Sequence, residues 1–253
     1  MIASSNRQRF MAGLGAAWEG MRLSTHSSEL RRTYLHLVAV LFLAAIVLDI
    51  TGIWAVLHFT TIAPDASWWM VSGLWVLRVL GIAGVILAAP LLALTVVNVL
   101  FPFLGERVFF AAMRTIAPAR AEQLSALPGL SLASSAVIAV RRLVQYIGLS
   151  LGVFILSFIP VAGQILGPVL QGYVSARGLA WELLDPYLDK LQLGFGEQRA
   201  FVGQHRAELV GFGVPLALLM AIPLVGPLLF GLAQGAAARL VVEVIETQSP
   251  ASV

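Results

Sequence analysis

Cysteine is absent from all 253 residues, which excludes disulfides, thiol nucleophiles and thiolate metal sites. Charge is scarce: charged residues make up 11% of the chain, against about a quarter in an ordinary soluble domain. No G-x-x-x-x-G-K-[ST] phosphate loop and no H-E-x-x-H helix occurs, so an ATPase engine and a zinc-protease site of those types are excluded. The four histidines, at 26, 36, 58 and 205, are scattered and suggest no metal cluster. The polar start lacks the short apolar core and small-residue site of a cleavable signal, so it is expected to stay on the chain. Without a catalytic cluster, the chain reads as a non-enzyme that uses no cofactor and no metal.

What fills the chain instead is apolar surface, with 59% hydrophobic residues. No soluble core of this length needs so much, so the sequence predicts an integral membrane protein. Its apolar runs are long and unbroken rather than ten-residue alternations, which predicts an all-α fold and not a barrel. The formal net charge of +3 fits cytoplasmic arginines flanking membrane segments, with no nucleic-acid partner implied.

A single membrane domain over 1–253 divides into four regions. Residues 1–34 carry Phe10, Leu14, Trp18 and Met21 at helical spacing, with Arg7, Arg9 and Arg22 beside them; this pattern predicts a helix lying in the membrane interface. Arg31-Arg32 closes that stretch, just ahead of the first apolar span. Residues 35–100 hold two transmembrane helices, the first interrupted by Asp49, the second kinked at Pro90 and bracketed by Arg78 and Asn98. Trp68, Trp69 and Trp75 mark an aromatic belt after the loop at 60–67. Residues 101–142 contain five arginines and two Pro breaks, and read as a basic cytoplasmic segment.

Residues 143–245 are a unit used twice. Ile159-Pro160-Val161-Ala162-Gly163 leads on to Gln171-Gly172, and Ile222-Pro223-Leu224-Val225-Gly226 leads on to Gln234-Gly235, at an offset of 63 residues. Each copy is an apolar segment, a Pro/Gly turn and a second apolar segment, so two helical hairpins are predicted at 143–184 and 208–245. The turns carry no charge and no interfacial Trp or Tyr, which suits hairpins that dip into the apolar layer and return. All Lys and Arg except Arg78 lie in or beside the N-terminal stretch, the 101–142 segment, the 185–207 linker or the C-terminal end; the positive-inside rule makes that side, and both termini, cytoplasmic.

The returning helix of each hairpin begins at its turn, so free N–H groups and about half a positive charge point into the membrane. Such an end is an anion site in broken-helix transporters. Gly148-Leu149-Ser150-Leu151-Gly152 matches a G-x-S-x-G nucleophile elbow, but sits in an apolar helix where that strand-to-helix turn has no place. Together with Gly163/Gly167 and Gly231/Gly235, this glycine pair is expected to allow close helix packing. Polar residues at membrane depth are few, chiefly Asp49, Asn98, Gln145, Gln164, Gln171 and Gln234.

Phe158-Ile159-Pro160-Val161-Ala162-Gly163-Gln164, Pro168-Val169-Leu170, Trp181-Glu182-Leu183-Leu184-Asp185-Pro186, Gly211-Phe212-Gly213 and Ile222-Pro223 resemble the CysZ family of bacterial sulfate permeases, related to the etoposide-induced membrane proteins. Departures from the family pattern fall at Leu104, at Asp185-Pro186-Tyr187 and at Ser28-Glu29. The resemblance implies two long transmembrane helices, two hemi-penetrating hairpins, a homo-oligomer in the bacterial inner membrane, and sulfate passage for cysteine synthesis. It also implies an anion site near Arg31 and Arg32. The turns around Pro160, Gly163, Gln164, Pro223 and Gly226 then line a constriction. Two readings stand at this stage: passive passage of an inorganic anion, or a lipid-interacting scaffold that wedges one leaflet without transport.

Overall fold

The computed structural model describes residues 5–26, 28–64, 66–100, 102–222 and 225–248. Of the residues singled out above, Pro223 and Leu224 lie outside the described set, as do the side-chain surroundings of Arg31, Pro90, Asn98 and Gly226. Among the described residues every regular element is helical. They are α1 (Asn6–His26), α2 (Ser28–Phe59), α3 (Trp68–Leu100), α4 (Pro102–Ile116), α5 (Pro118–Ser125), α6 (Leu132–Leu156), α7 (Ala162–Leu183), α8 (Asp185–Lys190), α9 (Phe195–Gln204), α10 (Arg206–Met220) and α11 (Val225–Leu240). A π-helical turn, Val241–Ile245, and a last helical turn, α12 (Glu246–Gln248), continue α11.

Among the described residues three stretches are long and apolar enough to cross a membrane: Val38–Phe59 in α2, Trp68–Ala89 in α3, and Leu132–Leu156, the whole of α6. Each presents its flanks to the surroundings, with Phe42, Ile50, Trp54, Leu80, Val144 and Phe154 among the large exposed apolar side chains. In water such surface would drive aggregation; in hydrocarbon it is the normal outer face. α2 and α3 pair with each other, Gly52 on one meeting Val85 on the other, and α3 is helical on both sides of Pro90. Arg78 donates from Nε to Thr60 Oγ1 at 2.9 Å and from Nη2 to the Thr60 carbonyl at 2.8 Å. Its guanidinium also lies 5.4 Å from the Trp75 ring centroid, so this cation clamps the end of α2 instead of standing alone beside lipid.

The packed body is built elsewhere, from α1, α4, α5, α8–α11 and the basic end of α7. Val108 to Met113 on α4 are all buried, facing α11, where Phe230, Ala233, Ala236, Ala237 and Leu240 are buried in turn. Burying Phe109 and Met113 contributes about 1.5–3 kcal/mol each. The segment expected as a basic cytoplasmic stretch thus supplies the centre of the core, because the two arginines of α4, Arg107 and Arg114, flank an uncharged run of six residues that is buried throughout.

α1 differs from its expected role as a helix merely resting in the interface. A stripe of small residues, Gly13, Ala16, Ala17 and Gly20, is buried against α10 and α11. A Cβ on Gly13 would lie 2.0 Å from the Glu208 carbonyl oxygen, and one on Gly211 would lie 2.1 Å from the Phe10 carbonyl oxygen. The two backbones touch, which only glycine at both positions permits. Trp18 on the other face is 68% exposed, while Phe10, Leu14 and Met21 are half-buried. Arg239 adds an ion pair from α11 to Glu19 of α1 at 2.6 Å.

The duplication is visible in the helix starts: α7 begins at Ala162 and α11 at Val225, 63 residues on. The outgoing helices are unequal. α6 starts at Leu132, eleven residues before the expected boundary at 143, whereas α10 starts at Arg206. Ser131 explains the early start: its side chain accepts from the Ser134 amide at 3.2 Å and caps the helix just after the Pro128-Gly129 turn, where Gly129 has φ +71°. The hairpins meet through their inner helices, with Gly213 of α10 pressed so closely on α7 that a Cβ would be 2.0 Å from the Ala176 carbonyl oxygen.

Candidate anion pathway

At the first turn α6 ends in Ser157, and α7 begins directly after Val161, which takes φ +63° and ψ −61°. A β-branched residue at positive φ is costly, and the neighbouring packing explains why the turn is so tight. A Cβ on Gly163 would lie 2.3 Å from the Leu156 carbonyl oxygen, and one on Gly167 would lie 2.3 Å from Ser157 Oγ. The first turns of α7 therefore sit directly on the last turn of α6. Pro160 and Gln164 are exposed at this tip, as are Phe158, Ile159, Val161 and Ile165. In the second hairpin Gly226 falls in the first turn of α11.

From this tip a polar seam runs between α6 and α7. Gln171 Nε2 donates to Ser150 Oγ at 3.1 Å and to Ser175 Oγ at 3.4 Å. Ser175 Oγ lies 3.3 Å from the Tyr146 hydroxyl. Ser150 and Tyr146, like Gln171 and Ser175, are four residues apart, one helical step of ~6 Å along the axis. A further step brings Arg142, which pairs with Asp185 at 2.8 Å. Ser135 donates to Asp189 at 2.8 Å, and Lys190 pairs with Glu106 at 3.1 Å. Arg177, two residues beyond Ser175 and so on another face of α7, lies 5.9 Å from the Trp181 ring centroid, and its buried Nε makes no hydrogen bond among the described residues. Burial raises the Asp185 carboxyl above the usual carboxylate range, and Arg142 opposes that shift. Hydroxyls and an amide thus run in one file to the Arg142–Asp185 pair, offering an anion neutral hydrogen-bond donors along the hairpin and meeting carboxylates at its basic end only where cations pair with or border them.

The other predicted residues are dispersed. Arg32 is exposed near the start of α2, its carbonyl 2.8 Å from His36 Nδ1. Asp49 Oδ1 is buried and unpaired among the described residues; Thr51, the nearby hydroxyl, donates instead to Val47 O at 2.6 Å. Gln234 occupies the repeat position of Gln171 but is 3% exposed and faces α4, where its Nε2 lies 3.4 Å from the place of a Gly105 Cβ. Among the described residues no hydrogen bond or ion pair joins Arg32, Asp49, Gln171 and Gln234 into one cluster. The expected packing at Gly148 and Gly152 is absent: a Cβ on either meets nothing within 4 Å.

Residues 16–230 match the family model described as sulfate transporter CysZ/etoposide-induced protein 2.4. The chain belongs to this family. Among individual CysZ-family relatives, it is 32% identical over 111 residues to "Sulfate transporter CysZ" of Vibrio cholerae, a match covering 44% of each chain. It is 29% identical over 104 residues to the protein of that name from Pectobacterium atrosepticum, covering 41% of this chain and 38% of the relative. A Pseudomonas fluorescens relative with the same name is 31% identical over 90 residues, covering 36% and 35%. The matched stretch thus spans less than half the length of these CysZ relatives.

Within this CysZ-family chain, sequence reasoning singled out Gln171 but missed its partners. Ser150 drew notice only as a nucleophile candidate; Tyr146, Ser175 and Arg177 drew none. The available signal was two polar pairs at four-residue spacing on helices that a tight turn folds together.

Proposed function

We propose that this CysZ-family protein lets an inorganic anion, sulfate, pass down its gradient across a bacterial cytoplasmic membrane for sulfur assimilation. The polar seam of Ser150, Gln171, Ser175 and Tyr146, leading to Arg142 at its basic end, carries the reading. A lipid-wedging scaffold has no need of hydroxyls aligned inside an apolar hairpin. Arg31 and Arg32 collect the dianion at the cytoplasmic mouth, and the turns around Pro160, Gly163, Gln164, Pro223 and Gly226 form the constriction. In this arrangement α2 and α3 span the bilayer, both hairpins re-enter from the cytoplasmic side, and several copies assemble as a homo-oligomer among lipid. Helix length supports re-entry for the second hairpin: α10 has 15 residues, ~22 Å against a ~30 Å hydrocarbon core. In the first hairpin α6 is long enough to cross, and its re-entry rests instead on the exposed, uncharged tip.

Radiolabelled sulfate uptake into proteoliposomes tests the proposal. Flux above empty vesicles is expected, reduced about tenfold by Gln171→Ala, which removes a half-buried donor from the seam. Folded protein with no flux above empty vesicles refutes it, and points to the scaffold reading.

A further inference from the structure

A cavity of about 380 Å³ opens where α1, α7 and the corner between α9 and α10 meet. Asn6, Arg9, Phe10, Tyr173, Gln204 and Arg206 line most of it. We propose that this cavity is an oxyanion site separate from Arg31 and Arg32, taking a tetrahedral sulfate- or phosphate-type group, either as a free ion or as the phosphate of an anionic lipid.

Three donors carry the inference. Arg206 is exposed and has no ion-pair or hydrogen-bond partner among the described residues, and the Tyr173 hydroxyl likewise makes no hydrogen bond there. Arg9 is held in place from behind: Nε bonds the fully buried Glu208, and Nη2 donates to the Gln204 carbonyl at 2.7 Å. Its Nη1 is left without a hydrogen bond among the described residues. Among the described residues Glu208 is the carboxylate that pairs with this group, and it bonds Arg9. Beside Arg206 the helix α10 starts, its first backbone bond running from Leu209 N to His205 O at 2.9 Å with no side-chain cap. The amides of Arg206, Ala207 and Glu208 therefore precede the hydrogen-bonded ladder, adding donors and positive potential to a cavity already lined by two guanidiniums. Phe10 and Val210 give one apolar wall, and the site lies at the basic end of both hairpins, at headgroup level in the proposed topology. A volume of this size belongs to small-ligand pockets and accommodates either form of the oxyanion.

The site needs no transport, so binding without flux would keep it while sinking the transport reading. The test uses full-length protein carrying Arg31→Gln and Arg32→Gln, so that any remaining signal comes from elsewhere. Sodium sulfate is titrated against chloride at constant ionic strength, with thermophoresis as readout. In parallel, native mass spectrometry counts phosphatidylglycerol retained from phosphatidylcholine nanodiscs doped with it. Added Arg206→Gln is expected to weaken binding about tenfold or more, the usual loss for a charge-assisted hydrogen bond, and Tyr173→Phe several-fold. Loss in the sulfate arm alone identifies a free-ion site; loss in the lipid arm alone identifies a lipid phosphate site. Both substitutions lie on accessible side chains, and size-exclusion profiles check folding. If neither arm shows binding, or neither variant changes it, the inference is overturned.

Discussion

Arg9→Met should be far more damaging than Glu208→Gln, although the two residues form one ion pair. Glu208 has no exposed surface, whereas the Arg9 side chain is 25% exposed. Removing Arg9 strands a carboxylate whose Oε2 already lacks a partner among the described residues, on a helix pressed against the α1 backbone at Gly13. Breaking a buried pair from that side costs about 3–5 kcal/mol. Replacing Glu208 by its neutral isostere leaves a guanidinium that reaches water and keeps its bond to the Gln204 carbonyl, so the loss is closer to ~1 kcal/mol. The double variant Arg9→Met/Glu208→Gln removes the stranded charge and should recover most of the Arg9→Met deficit. Thermal unfolding in detergent reads all three, at roughly 2–4 °C per kcal/mol for a chain of this size. The same preparations, probed by proteolysis within α1, should show that helix detaching only in Arg9→Met. Equal losses for the two single variants, or a double variant as poor as the sum of both, would refute the reasoning from burial.

The hairpin glycines divide into two classes under substitution. Gly163→Ala drives a Cβ into the Leu156 carbonyl and should cost about 1–3 kcal/mol by overpacking, while Gly152→Ala meets open space and should be neutral or stabilise by up to ~1 kcal/mol through helix propensity; denaturant midpoints of the two variants check the contrast. The body should also weaken in acid through His205. Burial lowers the pKa of this ring, which is 7% exposed and lies tilted against Phe201; Glu208 pulls the value up and Arg9 pushes it further down. Its contribution is complete above the usual histidine value of about 6.5, and is lost as pH falls from there towards the depressed folded value, because the unfolded chain takes up the proton first. Melting temperatures recorded from pH 8 to pH 5 should therefore fall, and His205→Gln should flatten that slope.

The parts legible in the sequence were those in which one chemical signal dominates. Long apolar runs marked α2 and α3, and the Ile-Pro-x-x-Gly repeats placed both turns to within a residue of the α7 and α11 starts. Docking of α1 was hidden because Gly13, Ala16, Ala17 and Gly20 carry no hydrophobic contrast, while the more conspicuous Trp18 points outward. The Arg9–Glu208 pair joins residues 199 positions apart, beyond any local pattern. The repeat misled at its glutamines: identical offsets suggested equal roles, but Gln171 faces α6 and Gln234 faces α4, since the partners of the two copies differ. Within the candidate path, Ser150 and Ser175 were masked by the apolar residues around them, and only the fold aligns them with Gln171.

That unequal partnership has a mechanical consequence. The second hairpin is clamped by α1, α4 and α7, whereas α6 leans chiefly on α7 and is otherwise tied only at its basic end, near α8 and α9. The tips of α6 and α7 are locked together by the Gly163 and Gly167 contacts, so the two helices form one lever whose root is the α7–α10 crossing at Gly213. Bending of such a lever is greatest at its root, while the displacement it produces is greatest at residues 157–161. The tip can therefore shift as a unit with no hinge residue inside the turn.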